Sequence, residues 1–212
     1  AMNAFRRALT AFLLAGLWVA APVAAAPPER VLVFTKTAKF RHDAIPVAVT
    51  TLQRLVVDEG MAADHTEAAR VFTLENLARY RVVVFASTTG DVLEDAQQAA
   101  LEAFVRKGGG FIGVHAAADT EYDWPWYGQL VGAYFQNHPP GLQSTQVQPE
   151  KDGKPVGPRW PITDELYNYR ANPRGQVQVI ATVDEREYDG GTMSADHPIA
   201  WCHAFDGGRS WY

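Results

Sequence analysis

A single cysteine, Cys202, occurs in the 212 residues. That excludes an intrachain disulfide, CxxC redox chemistry, a CxxCH haem attachment and a cysteine-based zinc cluster. The chain has no N-x-[ST] sequon, P-loop, HExxH or G-x-S-x-G string. An excess of positive charge is also missing. Lys and Arg number 19 against 24 Asp and Glu, a net charge of -5, which gives no electrostatic case for nucleic-acid binding. Hydrophobic residues make up 47% and charged residues 20%, a globular rather than disordered balance, and the length suits one α/β domain. Two strings resemble motifs without meeting their context. Gly108, Gly110 and Gly113 spell G-x-G-x-x-G, but they follow a helical pattern and enter a strand, the reverse of a dinucleotide fingerprint. Asp184–Gly191 (DEREYDGG) lacks the alternate-position ligands of a calcium loop and reads as a solvated turn.

The first residues stand apart in composition. Arg6 and Arg7 precede a nearly uninterrupted apolar run, Leu9–Val19, and a small-residue stretch, Ala20–Ala26. This layout predicts a secretory signal over residues 1–25, with Val23-Ala24-Ala25 ahead of the cut. The run is short for a membrane span of about 20 residues. The expectation is an exported chain, periplasmic or extracellular, touching a membrane only through an uncleaved leader. One domain then covers residues 30–212.

Apolar β-branched runs at Arg30–Thr35, Arg81–Ser87 and Gly110–Val114 predict buried strands, with a short strand over Met61–His65. Helical spacing predicts helices over Asp43–Gly60, Thr73–Tyr80 (Thr73 as N-cap) and Asp91–Lys107. Asp43 and Asp91 read as N-caps of their helices. The alternation implies an α/β, flavodoxin-like, doubly wound and mainly parallel sheet with helices on both faces. From about Gly128 prolines punctuate the chain, and strands at 142–148, 176–183 and 199–205 predict an irregular β-rich insertion packed on that sheet. The chain stops at Tyr212 inside a strand with no closing helix, which reads as a C-terminal truncation.

Ligands of such sheets bind at the carboxyl ends of the strands, so three loops carry the candidates. His115 ends a buried strand ahead of Ala116-Ala117-Ala118-Asp119, a strand–turn–helix position where hydrolases place a reactive residue on a sharp elbow. Arg41-His42 follows the first strand. Thr89-Gly90 precedes Asp91, and Gly90 permits close backbone approach. His138, locked by Pro139, and His197, ahead of Pro198, lie in the insertion and are weighed against structural loop roles. Asp164-Glu165 beside Tyr167, and Glu121 with Asp123, are paired acids that support glycosidase-type chemistry only if they face each other across a cleft; most such pairs are solvated surface. Trp124 with Trp126, Tyr127 and Trp160 forms an aromatic set able to stack on a sugar or to pack under a lid.

GGGFIGVHAAAD resembles the elbow of class I glutamine amidotransferases, with His115 where those enzymes have cysteine, so no thioester mechanism carries over. FTKTAKFRHDAIP, ASTTGDVL, GGGFIGVHAAADT, TDELYNY and DHPIAWCHAFDGGRSWY occur in the order seen in the ThuA-like (trehalose utilisation) family, which the chain resembles from about Val31 to Tyr212. The resemblance implies the amidotransferase-like fold without its triad, and carbohydrate metabolism around trehalose, related disaccharides or their 3-keto forms. The chain departs from the family pattern by ending before its Thr-x-Leu-Gly-His segment. The expectation is an exported enzyme acting on a small-molecule carbohydrate. His115, His42 and Asp119 would carry the acid/base chemistry, and Arg41, Thr89, Gly90, His138, Trp124, Tyr167 and His197 would hold the substrate. Several histidines could also hold a divalent metal, provided they converge in space. The alternative is a non-catalytic sugar-binding module.

Overall fold

A computed structural model describes residues 28–212, and the leader read at residues 1–25 lies outside them. Four short strands pair in parallel: β1 (Arg30–Phe34), β2 (Ala62–Thr66), β3 (Val82–Ala86) and β4 (Gly110–Val114). A fifth, β12 (Gly208–Trp211), adds in parallel to β4, giving the order β2-β1-β3-β4-β12. Runs such as VVVFA are apolar on both faces because helices cover both. Val31, Val33, Val84 and Ala86 pack against Val49, Leu52 and Val56 of α1 (Ile45–Asp58). Leu32, Phe34, Val83, Phe85 and Phe111 face α2 (Leu74–Leu77), α3 (Asp95–Arg106) and α4 (Pro125–Val131). Among the described residues α1 is the one α-helix on its face, and Trp211 is 50% exposed there.

Two helix starts differ from the sequence reading. The cap residue of α1 is Ala44, not Asp43, and it makes no side-chain bond; Pro46 in the first turn removes the need for one donor. The α3 helix starts at Asp95, behind a capping box of Glu94 and Gln97, not at Asp91. The cause is Glu121. Its buried carboxylate accepts from Val92 N and Leu93 N, both at 2.8 Å, and holds that segment extended. Thr73 does cap α2, accepting from Asn76 N at 3.2 Å.

The insertion extends the sheet edge to edge rather than stacking on it. β11 (His197–Phe205) runs antiparallel to β12, followed by β10 (Gln178–Val183) and β6 (Gln143–Lys151). β7 (Lys154–Pro155) and β8 (Trp160–Asp164) both pair with β6. A separate two-stranded pair, β5 (Phe135–Asn137) with β9 (Asn168–Tyr169), sits apart from the main sheet.

The larger core is aromatic. Phe85 is fully buried and meets Phe34, Phe72, Phe111 and Tyr127 with ring centroids 5.1 to 5.8 Å apart, mostly edge-on or tilted. Phe85→Ala leaves a cavity that its rigid neighbours cannot close, and is expected to cost about 3–5 kcal/mol. A lowered urea midpoint with an unchanged m-value checks this.

Candidate functional site

The carboxyl edge of the parallel strands gathers residues from three distant segments. β4 ends at Val114 and the chain turns into a short 3-10 turn, His115–Asp119. His115 takes φ 51, the left-handed region that costs a non-glycine residue about 1–2 kcal/mol. This strained turn projects the imidazole over the edge, as an elbow does. The His115 carbonyl accepts from the Tyr212 hydroxyl at 2.7 Å, which anchors the turn to the end of β12.

His42 arrives on the loop after β1. That loop is held by Thr89, whose buried hydroxyl donates to Phe40 O at 2.7 Å and accepts from Lys39 N at 3.3 Å. Gly90 completes the lock. Its N–H donates to Asp119 O at 2.8 Å, its φ is 74, and a Cβ there would lie 2.9 Å from Lys39 Cγ. Thr89 and Gly90 are therefore placed where they hold the loop.

The third contributor is Glu165, just past β8. Its Oε2 lies 3.3 Å from Nε2 of both His42 and His115, and its Oε1 lies 4.0 Å from His138 Nε2. His42, His115 and Glu165 each offer a ligand atom, all within 4.8 Å of one another. His42 Nδ1 is buried without a hydrogen-bond partner among the described residues. Tyr167 walls the cluster: its ring centroid is 4.4 Å from that of His115 and its hydroxyl is 3.4 Å from His42 Nε2. Burial, reinforced by the Glu165 charge, pushes the Tyr167 hydroxyl well above its usual range and keeps it a donor. His138 packs beside Tyr167, and its Nδ1–H donates to Pro139 O at 2.7 Å, which orients the ring with Nε2 towards Glu165. Burial lowers the His115 pKa, opposed mainly by the Asp164 charge, so the neutral, ligand-competent imidazole is favoured.

A cavity of about 360 Å³ adjoins the cluster, lined by His115, Asp164, Glu165 and Tyr167 together with apolar residues such as Ile112 and Ile162.

Of the residues expected from sequence, His115, His42, His138 and Tyr167 meet here. The others do not. Asp119 accepts from the Tyr122 hydroxyl at 2.7 Å. Arg41 is half-exposed and paired with Glu67 at 2.7 Å. Trp124 is 8% exposed, stacked on Trp126 and Tyr127 with Nε1–H donating to Glu102, so it belongs to the core rather than to a sugar-facing surface. His197 is fully buried behind the site. Its Nε2–H donates to Tyr167 O at 2.9 Å, while Nδ1 meets the Tyr188 hydroxyl at 2.8 Å and Glu185 Oε1 at 2.9 Å. Glu165 is the residue that pattern reasoning set aside as surface. The signal was the apolar pair directly after it, Leu166-Tyr167, both of which are buried.

Two predictions follow from the turn and its burial. His115→Gly relieves the left-handed strain and should exceed His115→Ala in stability by roughly 1 kcal/mol, read from denaturant midpoints. Burial lowers the pKa of both His115 and His197, whereas an unfolded histidine titrates near about 6.5. The unfolded chain then binds more protons in acid. Stability is present above about pH 6.5 and is lost as pH falls through that value towards the folded pKa values. The urea midpoint should drop between about pH 7.5 and pH 5.5, and less steeply in His115→Gln.

Comparison with known proteins agrees with this architecture. The family described as "ThuA: Trehalose utilisation" matches residues 30–212. A solved ThuA-like protein from Bacteroides uniformis ATCC 8492 is similar at 22% identity and TM-score 0.71, covering 90% of this chain and 84% of that chain. A second, from Parabacteroides merdae ATCC 43184, is similar at 17% identity and TM-score 0.67, covering 87% and 78%. At these identities the likeness establishes the fold. No curated protein matches the chain. Matched over its whole described domain, the chain belongs to the ThuA family, within the glutamine amidotransferase-like superfamily.

Proposed function

We propose that this protein is an enzyme of carbohydrate metabolism that acts on a disaccharide or keto-glycoside by histidine-based acid/base chemistry at a divalent cation. The observation that carries the reading is the cluster of His42, His115 and Glu165. Nitrogen and oxygen ligands about 2.0–2.1 Å from a tetrahedral cation stand roughly 3.3–3.4 Å apart. Both Glu165 contacts, at 3.3 Å, match that edge. Two imidazoles and one carboxylate are the donor set of catalytic zinc and non-haem iron sites, and they leave open positions for substrate. The family's link to trehalose utilisation supports a sugar as that substrate.

A cation held by His42, His115 and Glu165 would supply Lewis acidity towards a substrate carbonyl or hydroxyl. The chain's own residues supply the rest. His138, oriented by the bond from Nδ1–H to Pro139, turns Nε2 to the cluster as the group that would exchange a proton α to a carbonyl or on a hydroxyl. The Tyr167 hydroxyl, kept protonated by burial, is a hydrogen-bond donor at the same place. The elbow position holds histidine, so cysteine-dependent amide hydrolysis is outside this reading. The arginine-led apolar leader supports export of the mature chain.

Calorimetry with Zn²⁺ or Mn²⁺, followed by product analysis with trehalose and 3-keto-trehalose, tests this. Wild type is expected to bind one cation and to form product. His42→Ala, His115→Ala and Glu165→Gln are each expected to lose about 100-fold or more in cation affinity, together with turnover. Sugar binding without product in wild type would turn the reading to a sugar-binding module. No heat with any cation would remove the metal.

A further inference from the structure

Glu165 and His138 flank a pairing of the main sheet, Gln143 of β6 opposite Asp164 of β8, and a second element ties the stretches just beyond it. The holding element is the β5–β9 pair, in which Asn137 stands opposite Asn168 beyond a bulge. Asn168 is fully buried. Its Nδ2 donates to Asn137 Oδ1 at 2.8 Å and to Gly190 O at 3.0 Å, and its Oδ1 accepts from Thr192 N at 2.8 Å. Three groups are satisfied by one carboxamide, and they lie on two stretches of chain, at 137 and at 190–192, which it joins to its own. Asn137 precedes His138. Asn168 follows Tyr167, whose carbonyl is held from behind by His197, and it lies three residues after Glu165. The 190–192 stretch is fastened in turn by Glu185, whose two carboxylate oxygens accept from Met193 N at 2.7 Å and Ser194 N at 2.8 Å.

We infer that Asn168 is a positioning residue for the candidate site: its carboxamide fixes where His138 and the Glu165–Tyr167 segment stand relative to His42 and His115. It touches no reacting group. It acts through the loops it joins, as outer-shell partners of metal ligands do, and such partners set cation affinity without being ligands. An apolar residue of equal size would remove all three bonds, to Asn137 Oδ1, Gly190 O and Thr192 N, so the role needs an amide and not merely volume. The inference rests on the cation reading for its two metal readouts and is independent of it for the third, the imidazole shifts of the metal-free protein.

The test compares Asn168→Ala and Asn137→Ala with Leu101→Ala. Asn137 is exposed, so its truncation spares the fold while removing one of the three bonds. Leu101 is fully buried on α3 in the other core, so its truncation destabilises the protein without touching the brace. Zn²⁺ affinity is measured by calorimetry, the Co²⁺ absorption band reports ligand geometry, and imidazole nitrogen shifts of His115 and His138 are recorded in metal-free protein. Both asparagine variants are expected to weaken Zn²⁺ binding by about 10- to 100-fold, to shift the Co²⁺ band and to move the His138 resonances. Leu101→Ala should lower the unfolding midpoint and leave all three unchanged. Wild-type affinity and unmoved imidazole shifts in both asparagine variants would overturn the inference, as would an equal loss in Leu101→Ala. If wild type binds neither Zn²⁺ nor Co²⁺, the cation reading fails, and the imidazole shifts alone decide the brace.

Discussion

A carboxylate enclosed by imidazoles is the constraint around which the carboxyl edge of this sheet is organised. Glu165 is largely shielded from water and stands 3.3 Å from two histidine nitrogens. Burying a charge is expensive unless it is paired and hydrogen-bonded. Burial also disfavours the charged form of His115, so that neighbour does not readily neutralise the carboxylate by protonation. A cation held among the three side chains would resolve both demands. It would balance the carboxylate and use the imidazoles in their neutral state. Among the described residues, His42 Nδ1 is buried without a hydrogen-bond partner.

The rest of the local structure serves that meeting. Left-handed strain at His115 is retained because the turn is tied on both sides, through Tyr212 to β12 and through Gly90 to the loop after β3. Thr89 spends its hydroxyl on the His42 loop rather than on a ligand. The antiparallel extension has a use beyond covering an edge. It carries β8 back along β6, so that Asp164 and Glu165 finish beside the carboxyl ends of the parallel strands. The β5–β9 pair then closes His138 onto the same place. The site is a seam between a parallel half that supplies two histidines and an insertion that supplies the acid, the tyrosine and the third histidine.

Much of the parallel half was legible in the sequence because its signals are local. RVLVF, VVVFA and GFIGV are apolar runs of strand length, and α1 and α3 show helical spacing. Helix starts were harder, because Asp91 offers a plausible cap. The true start was moved to Asp95 by a carboxylate at Glu121, far along the chain. Histidines at strand ends were readable as candidates from topology alone, since an open sheet directs ligands to that edge. Trp124 misled for the same kind of reason. An aromatic near a site loop has the same composition whether its face is open or stacked in a core, and only packing distinguishes the two.

The sequence by itself determined the family, the strand and helix content of the first half, and the two elbow-edge histidines. Each of these follows from short-range pattern or from motifs in order. Only the tertiary structure decided that Glu165 stands among the candidate-site histidines, that His138 faces it while His197 stands behind it, and that Thr89, Gly90 and Asn168 spend their polar groups on neighbouring chain. Those assignments depend on pairings such as Asn137 with Asn168 and β6 with β8. An acid's role is set by what surrounds it after folding, and no pattern within a few residues of Glu165 records that two imidazoles arrive from 50 and 123 residues away.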